Sequence, residues 1–172
     1  MASWAAIVLA AGKSTRMKSA LPKVLHPLCG QPLVQHVVGA VRAAGVAQIV
    51  LVVGHQAERV RAALGDGFAY AEQGEQRGTG HALLKARPAV HGAPESVLVL
   101  YGDTPLVSPE TLGRLMERHR ASRATLALLT CDACPPSTDG LGRILRDGSG
   151  RVTGVVEEAE AGPEGRALRE VN

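Results

Sequence analysis

Near its start the chain passes from a short apolar run, Trp4–Leu9, straight into Ala10-Ala11-Gly12-Lys13-Ser14-Thr15-Arg16, and this junction constrains the fold more than any other feature. The run has the length and composition of a buried strand. A strand that stops at a glycine and then at cations reads as one ending in a phosphate-binding loop. Gly12 lets bare backbone approach a nucleotide, and its neighbours offer N–H donors. Lys13, Arg16 and Lys23 add positive charge close by in the sequence. Pro22 fixes its own φ and biases Leu21 towards extended backbone, so Lys23 is expected at a defined place rather than on a loose tether. A nucleotide P-loop of the Walker type needs a further glycine where Ile7 stands inside the strand, so that reading fails.

The same unit recurs. Apolar runs rich in β-branched residues at 5–9, 49–53 and 97–100 are each followed by a turn and a helical pattern, and a further strand is expected near 68–71. Leu33, Val34, Val37, Val38 and Val41 form one face of a helix over 32–44, with Gly45 as its stop. Further helices are expected over 55–64, 79–86 and 108–120, the last capped by Ser108 with Pro109 in its first turn. The alternation predicts an α/β fold: a mostly parallel, Rossmann-like central sheet flanked by helices. Beyond residue 124 the pattern shifts to strands at 125–130 and 142–146. A tight turn, Asp147-Gly148-Ser149-Gly150, then leads into 151–157, giving a second half rich in hairpins. Residues 159–166 read as a surface loop. Ligands of open α/β sheets sit beyond the carboxyl ends of the strands, so the loops at Gly12, Gln73 and Asp103 are expected to share one crevice.

At 172 residues, with 45% apolar and 20% charged side chains, the chain suits a single globular domain. The net charge of +3 is scattered, and one Phe, one Trp and two Tyr give little to stack on bases, which argues against a nucleic-acid binder. There is no secretory pattern, and no apolar run approaches the ~20 residues of a membrane span, so no membrane partner and a cytoplasmic location are expected. Cys29, Cys131 and Cys134 are expected to be reduced, structural thiols, since Pro135 and Pro136 place the CxxC in a turn.

Tyr101-Gly102-Asp103-Thr104-Pro105 follows an apolar strand, so Asp103 projects where a carboxylate can hold Mg²⁺ against substrate phosphates; the alternative is a turn former or helix cap. The polar stretch from Glu72 to His81, with Gly74, Gly78 and Gly80, opens a helix and offers Gln73 to the edge of a base, unless it is only a flexible surface loop. His81 is expected to pack on its helix, and no histidine is given a chemical role. No Ser-His-Asp arrangement is suggested, and none is required if the substrate is a phosphate monoester. Its dianion attacks phosphorus without a general base, and basic side chains with Mg²⁺ balance the developing charge.

These residues resemble the sugar-phosphate nucleotidylyltransferases, and specifically the bacterial N-acetylglucosamine-1-phosphate uridylyltransferases. The likeness begins with Leu9-Ala-Ala-Gly-Lys-x-Thr-Arg-Met17 and Leu21-Pro-Lys-Val-Leu-His26. It continues through Val53-Gly-His55, Glu72-Gln73, Gly78-Thr79-Gly80-His81, Tyr101-Gly102-Asp103, Gly142-Arg143-Ile144, Val156-Glu157 and Glu170-Val171-Asn172. The resemblance implies a nucleotide-diphospho-sugar transferase fold and Mg²⁺-dependent transfer of UMP from UTP to N-acetylglucosamine 1-phosphate, releasing pyrophosphate, in the service of peptidoglycan synthesis. It implies Leu9, Ala10, Ala11, Gly12, Gln73, Gly78 and Thr79 around the uridine, with Tyr101 and Gly102 also in the substrate site. Arg16 and Lys23 would act as catalytic cations on the phosphates and Asp103 as metal ligand, while Gly142, Glu157 and Asn172 would hold the amino sugar. Ser14, Leu141 and Ala159 depart from the family's usual Gly, Tyr and Lys. The resemblance further implies that residues 1–172 are a nucleotidyltransferase domain cut short at its C-terminal end, without the β-helix that carries acetyl transfer, and that homo-oligomers belong to a full-length form. The alternatives are a relative acting on another nucleotide or sugar phosphate, and a module that binds UDP-sugar without turnover.

Overall fold

The computed structural model describes residues 3–12, 17–132 and 140–172. The chain divides into two compact units, Met1–Met116 and Glu117–Asn172.

In the first unit, β1 (Trp4–Leu9), β4 (Gln48–Val53), β5 (Ala69–Glu72) and β6 (Ser96–Tyr101) form one sheet in the order β5-β4-β1-β6. All three pairings are parallel, with Ile7 opposite Val50 on one side and Val99 on the other. Helices cover both faces of β1 and β4, which is why these strands are almost continuously apolar instead of alternating, whereas Val97, Val99 and Tyr101 of β6 stand exposed. On one face Ala6, Val8, Leu51, Val53, Leu98 and Leu100 pack with Val34, Val37, Val38 and Val41 of α1 (Leu33–Ala43), Val60 of α2 (Ala57–Leu64) and Leu112 of α4 (Pro109–Ser122). On the other, Ile7, Val50, Val52 and Ala71 meet Ala82 and Ala86 of α3 (Thr79–Ala86). Gly45, at φ +85°, follows α1 where a left-handed residue ends a helix, and the Ser108 hydroxyl accepts the Thr111 N–H at 3.2 Å to cap α4. A short hairpin, β2 (Pro27–Leu28) with β3 (Gln31–Pro32), turns on Cys29 and Gly30, both at positive φ.

The order of connection fixes where a ligand belongs. From β1 the chain steps to β4 and then β5 on one side, and afterwards returns to place β6 on the other side of β1. The carboxyl ends of β1 and β6 therefore flank the point where the sheet reverses direction, where loops diverge and leave a crevice.

In the second unit, β7 (Arg143–Arg146) and β8 (Val152–Val156) form the antiparallel hairpin expected from its turn residues. The Asp147 carboxylate accepts N–H bonds from Ser149 at 2.9 Å and Arg151 at 3.1 Å, which closes the turn. Residues 170–172 run beside β7: Ile144 donates to the Glu170 carbonyl at 3.0 Å, and Val171 exchanges two bonds with Cys131. Three expectations need correction. Residues 125–130 form no strand, and Leu126 and Leu129 stand exposed, because a strand exists only where a neighbour pairs with it. The segment read as a surface loop contains α5 (Pro163–Ala167), which Pro163 starts at the helix's first position. Cys131 is disulfide-bonded, against the expectation of reduced thiols, while Cys29 is free and exposed; Cys134 lies outside the described residues.

Candidate active site

The crevice at the sheet's reversal point is a pocket of about 420 Å³, within the ~300–1,000 Å³ usual for small-molecule sites. Leu9, Ala11 and Gly12 line it from the end of β1, Tyr101 and Asp103 from the end of β6, and Gln73, Gln76, Gly78 and Thr79 from the β5–α3 connection; Lys23, Val24 and Ala82 line it too. The three loops expected to meet do so within the first unit.

Each of these positions has a local cause. The Gly102 N–H donates to the Leu9 carbonyl at 2.8 Å, and a Cβ at Gly102 would lie 3.1 Å from that oxygen and 3.2 Å from Val24. Glycine thus lets the β6 end close onto β1 and onto the segment that carries Lys23. Lys23 itself opens a single 3₁₀ turn after Pro22, with its neighbours Val24 and Leu25 buried. This is the defined position that Pro22 predicts. Its ammonium forms an ion pair with the Asp103 carboxylate. The lysine side chain is 43% exposed and the aspartate 23%, so the pair sits at the mouth of the pocket, open to a ligand and partly shielded from water.

The opposite wall is held by close backbone approach. A Cβ at Gly54, just beyond β4, would lie 3.0 Å from both the Ala11 Cβ and the Gln73 carbonyl oxygen, so only glycine permits the ends of β1, β4 and β5 to converge. The Gln76 amide donates to the Ala11 carbonyl, tying the two loops together. Gln73, 5% exposed, donates through Nε2 to the Gly78 carbonyl at 3.1 Å, and the same nitrogen lies 3.2 Å from His81 Nδ1. Gly78 holds φ +91° ahead of α3, a conformation glycine adopts without strain.

Not every expected residue meets this pocket. Ala10 is 4% exposed and belongs to the core, donating to the Val52 carbonyl at 2.8 Å. Arg16, with Lys13 and Ser14, lies outside the described residues. Gly142, Glu157 and Asn172 belong to the second unit. There a Cβ on Gly142 would run into the Asn172 side chain and come within 2.9 Å of Val155, while the Asn172 N–H donates to the Gly142 carbonyl at 3.2 Å. The structure therefore joins Gly142 to Asn172, and leaves Glu157 as an exposed residue just past β8.

A cationic group, a carboxylate, a polar amide and a glycine-lined backbone around one crevice suit a phosphate-bearing nucleotide. The model for MobA-like NTP transferase domains matches residues 6–147. The chain belongs to this family. It is 52% identical over 167 residues to the bifunctional protein GlmU of Heliobacterium modesticaldum, covering 97% of this chain and 36% of that protein. It is 48% identical over 174 residues to the bifunctional protein GlmU of Geotalea daltonii, covering 100% of this chain and 38% of that one. The chain thus spans little more than a third of the length of these curated relatives. Among solved structures, Rv0371c of Mycobacterium tuberculosis is similar at TM-score 0.62 and 32% identity, over 70% of this chain and 62% of that one; it has also been solved in complex with manganese (TM-score 0.58; 32% identity; 69% and 60% covered). A nucleotidyl transferase from Methanothermobacter thermautotrophicus matches at TM-score 0.60 and 32% identity, over 67% and 57%.

Three residues of this NTP transferase domain escaped sequence reasoning. Gln76 and Gly54 act through contacts with Ala11, which is distant in sequence, and no local pattern announces either. His81 was expected only to pack, yet it holds the Gln73 amide; its spacing of eight residues from Gln73, across a glycine-rich turn, carries no recognisable signal.

Proposed function

We propose that this domain transfers UMP from UTP to N-acetylglucosamine 1-phosphate, releasing pyrophosphate. The observation that carries the reading is the meeting of Lys23 and Asp103 at the mouth of a pocket that Gln73 also lines; the motif resemblance to N-acetylglucosamine-1-phosphate uridylyltransferases supplies the choice of substrates.

In this reading Gln73 and the backbone around Gly78 and Thr79 take the uracil, and the strand-end backbone at Leu9, Ala11 and Gly12 lies along the ribose and phosphates. The sugar phosphate is largely dianionic at neutral pH. One of its oxygens attacks the α-phosphorus of UTP in line, the new P–O bond forms as the bond to the bridging oxygen of the β-phosphate breaks, and pyrophosphate leaves with that electron pair. No side-chain base is needed. Lys23 neutralises charge on the reacting phosphates, and Arg16 is assigned the same work by the family motif.

Among the described residues no group of three or more His, Cys, Asp or Glu is placed to hold a metal ion. One carboxylate at the pocket mouth nevertheless fits Mg²⁺, which is commonly held by one or two carboxylates with substrate phosphates and water completing its shell. Asp103 would hold it. Bound there, the cation would offset negative charge building up on the phosphates. The manganese complex of the mycobacterial relative supports a divalent cation in this family without choosing between the two metals. Gly142, Glu157 and Asn172 are assigned to the amino sugar on the strength of the motif.

Pyrophosphate release tests the reading. Turnover with Mg²⁺ or Mn²⁺ that is confined to UTP and N-acetylglucosamine 1-phosphate supports it; equal turnover with CTP, GTP or other hexose 1-phosphates would replace the proposed substrates. Binding of UDP-N-acetylglucosamine with no turnover would reduce the chain to a binding module.

A further inference from the structure

The carboxamide of Gln73 is bracketed by acceptors. Its Nε2 lies 3.1 Å from the Gly78 carbonyl oxygen and 3.2 Å from His81 Nδ1. A backbone carbonyl only accepts, so the group facing it is the NH₂. For the same NH₂ to donate to His81, Nδ1 has to be the bare nitrogen of a neutral imidazole, with the ring proton on Nε2. Both amide hydrogens are then committed. What Gln73 has left to offer a ligand in the pocket it lines is Oε1, an acceptor.

We propose that His81 is a positioning residue for base selection: by accepting at Nδ1, it helps fix the polarity of the Gln73 carboxamide so that the pocket reads a base edge carrying a ring N–H. Uracil presents such a donor at N3, whereas cytosine presents a bare acceptor there. Half a turn of the carboxamide would offer Nε2–H and suit cytosine, but would set Oε1 against the Gly78 oxygen and would require the ring proton of His81 to move to Nδ1. His81 is not among the residues lining the pocket, so it acts through Gln73. Its place in the first turn of α3, behind Gly78 at φ +91°, brings the ring back over the β5 end. This inference rests on the UTP reading above and names the device that would select uracil.

Equilibrium binding of UTP and CTP, each with Mg²⁺, to the wild-type chain and three variants tests it without requiring turnover. The wild type is expected to prefer UTP. His81→Phe keeps a ring and removes the acceptor, and should narrow the UTP-to-CTP affinity ratio by about fivefold, the worth of one neutral hydrogen bond. His81→Leu should do the same and serves if the Phe variant does not fold. His81→Asn, whose Oδ1 can stand in for Nδ1, should recover most of the ratio. A ratio unchanged in Phe and Leu variants that melt like the wild type overturns the inference and leaves the UTP reading intact. A wild type that binds CTP as tightly as UTP overturns both.

Discussion

Lys23 and Asp103 lie on different segments of the first unit, one after Pro22 and one after β6, and their side chains meet as an ion pair at the mouth of the pocket. A Cβ at Gly102 would lie 3.2 Å from Val24, so the bare glycine lets the two segments lie this close. The pair gathers opposite charges at the pocket mouth, where the proposed function puts the nucleotide's phosphates and the divalent cation.

Because this pair is partly solvated, it should contribute little to folding. Surface ion pairs are worth ~0–1 kcal/mol, so Lys23→Ala and Asp103→Asn should each unfold in urea within about 1 kcal/mol of the wild type. A much larger loss would mean that these residues serve the fold first.

Gly54 has the opposite character. The neighbours of an added Cβ are the Ala11 Cβ and the Gln73 backbone, each 3.0 Å away and fixed at strand ends. Gly54→Ala should cost ~1–3 kcal/mol by overpacking and weaken nucleotide binding as Gln73 is displaced. Calorimetric melting together with UTP titration checks both effects, and an unchanged variant would show that the strand ends yield more easily than the packing implies.

The second unit carries a pH-sensitive tie. The Arg146 guanidinium grips Glu170 at 2.6 and 2.7 Å, and the Thr130 hydroxyl donates at 2.8 Å. The arginine first, and then the threonine, hold the carboxyl down to about 2 from an ordinary 4.5. A lowered folded-state pKa stabilises above the unfolded value, and that stabilisation is lost as pH falls through the folded one. Stability should therefore decline between about pH 4.5 and pH 2, and Glu170→Gln should show a smaller decline. Urea midpoints of the two proteins across this range decide; identical pH dependence would contradict the tie.

Gly142 and Asn172 touch so closely that an added methyl group would displace the asparagine side chain. If they hold the amino sugar, Gly142→Ala should raise KM for the sugar phosphate roughly tenfold, the scale of one or two lost hydrogen bonds, and leave the UTP affinity unchanged. Initial-rate kinetics with each substrate varied in turn separates these effects; equal changes for both would place the residue outside the sugar site.

The repeated βα pattern was legible because strands buried on both faces and amphipathic helices leave opposite periodicities in the sequence. The junction at Leu9 to Gly12, the fixed Lys23 after Pro22 and the projecting Asp103 were legible because glycine, proline and strand ends act locally. Residues 125–130 misled: their composition suits a strand, but pairing is a property of neighbours. α5 was missed because Gly162 and Gly165 spoke for a loop, whereas Pro163 sits where a proline starts a helix. The support behind Gln73 depends on contacts that periodicity does not record, among them Gln76 on Ala11 and the closeness of Gly54 to both strand ends.

The most direct test of the central claim is pyrophosphate release from UTP and N-acetylglucosamine 1-phosphate by the wild type, Lys23→Ala and Asp103→Asn, side by side with a divalent cation present. A transfer site built on this pair predicts turnover by the wild type and losses of about 10²-fold or more in each variant, with melting unchanged. Wild-type rates in a folded Asp103→Asn variant would contradict it.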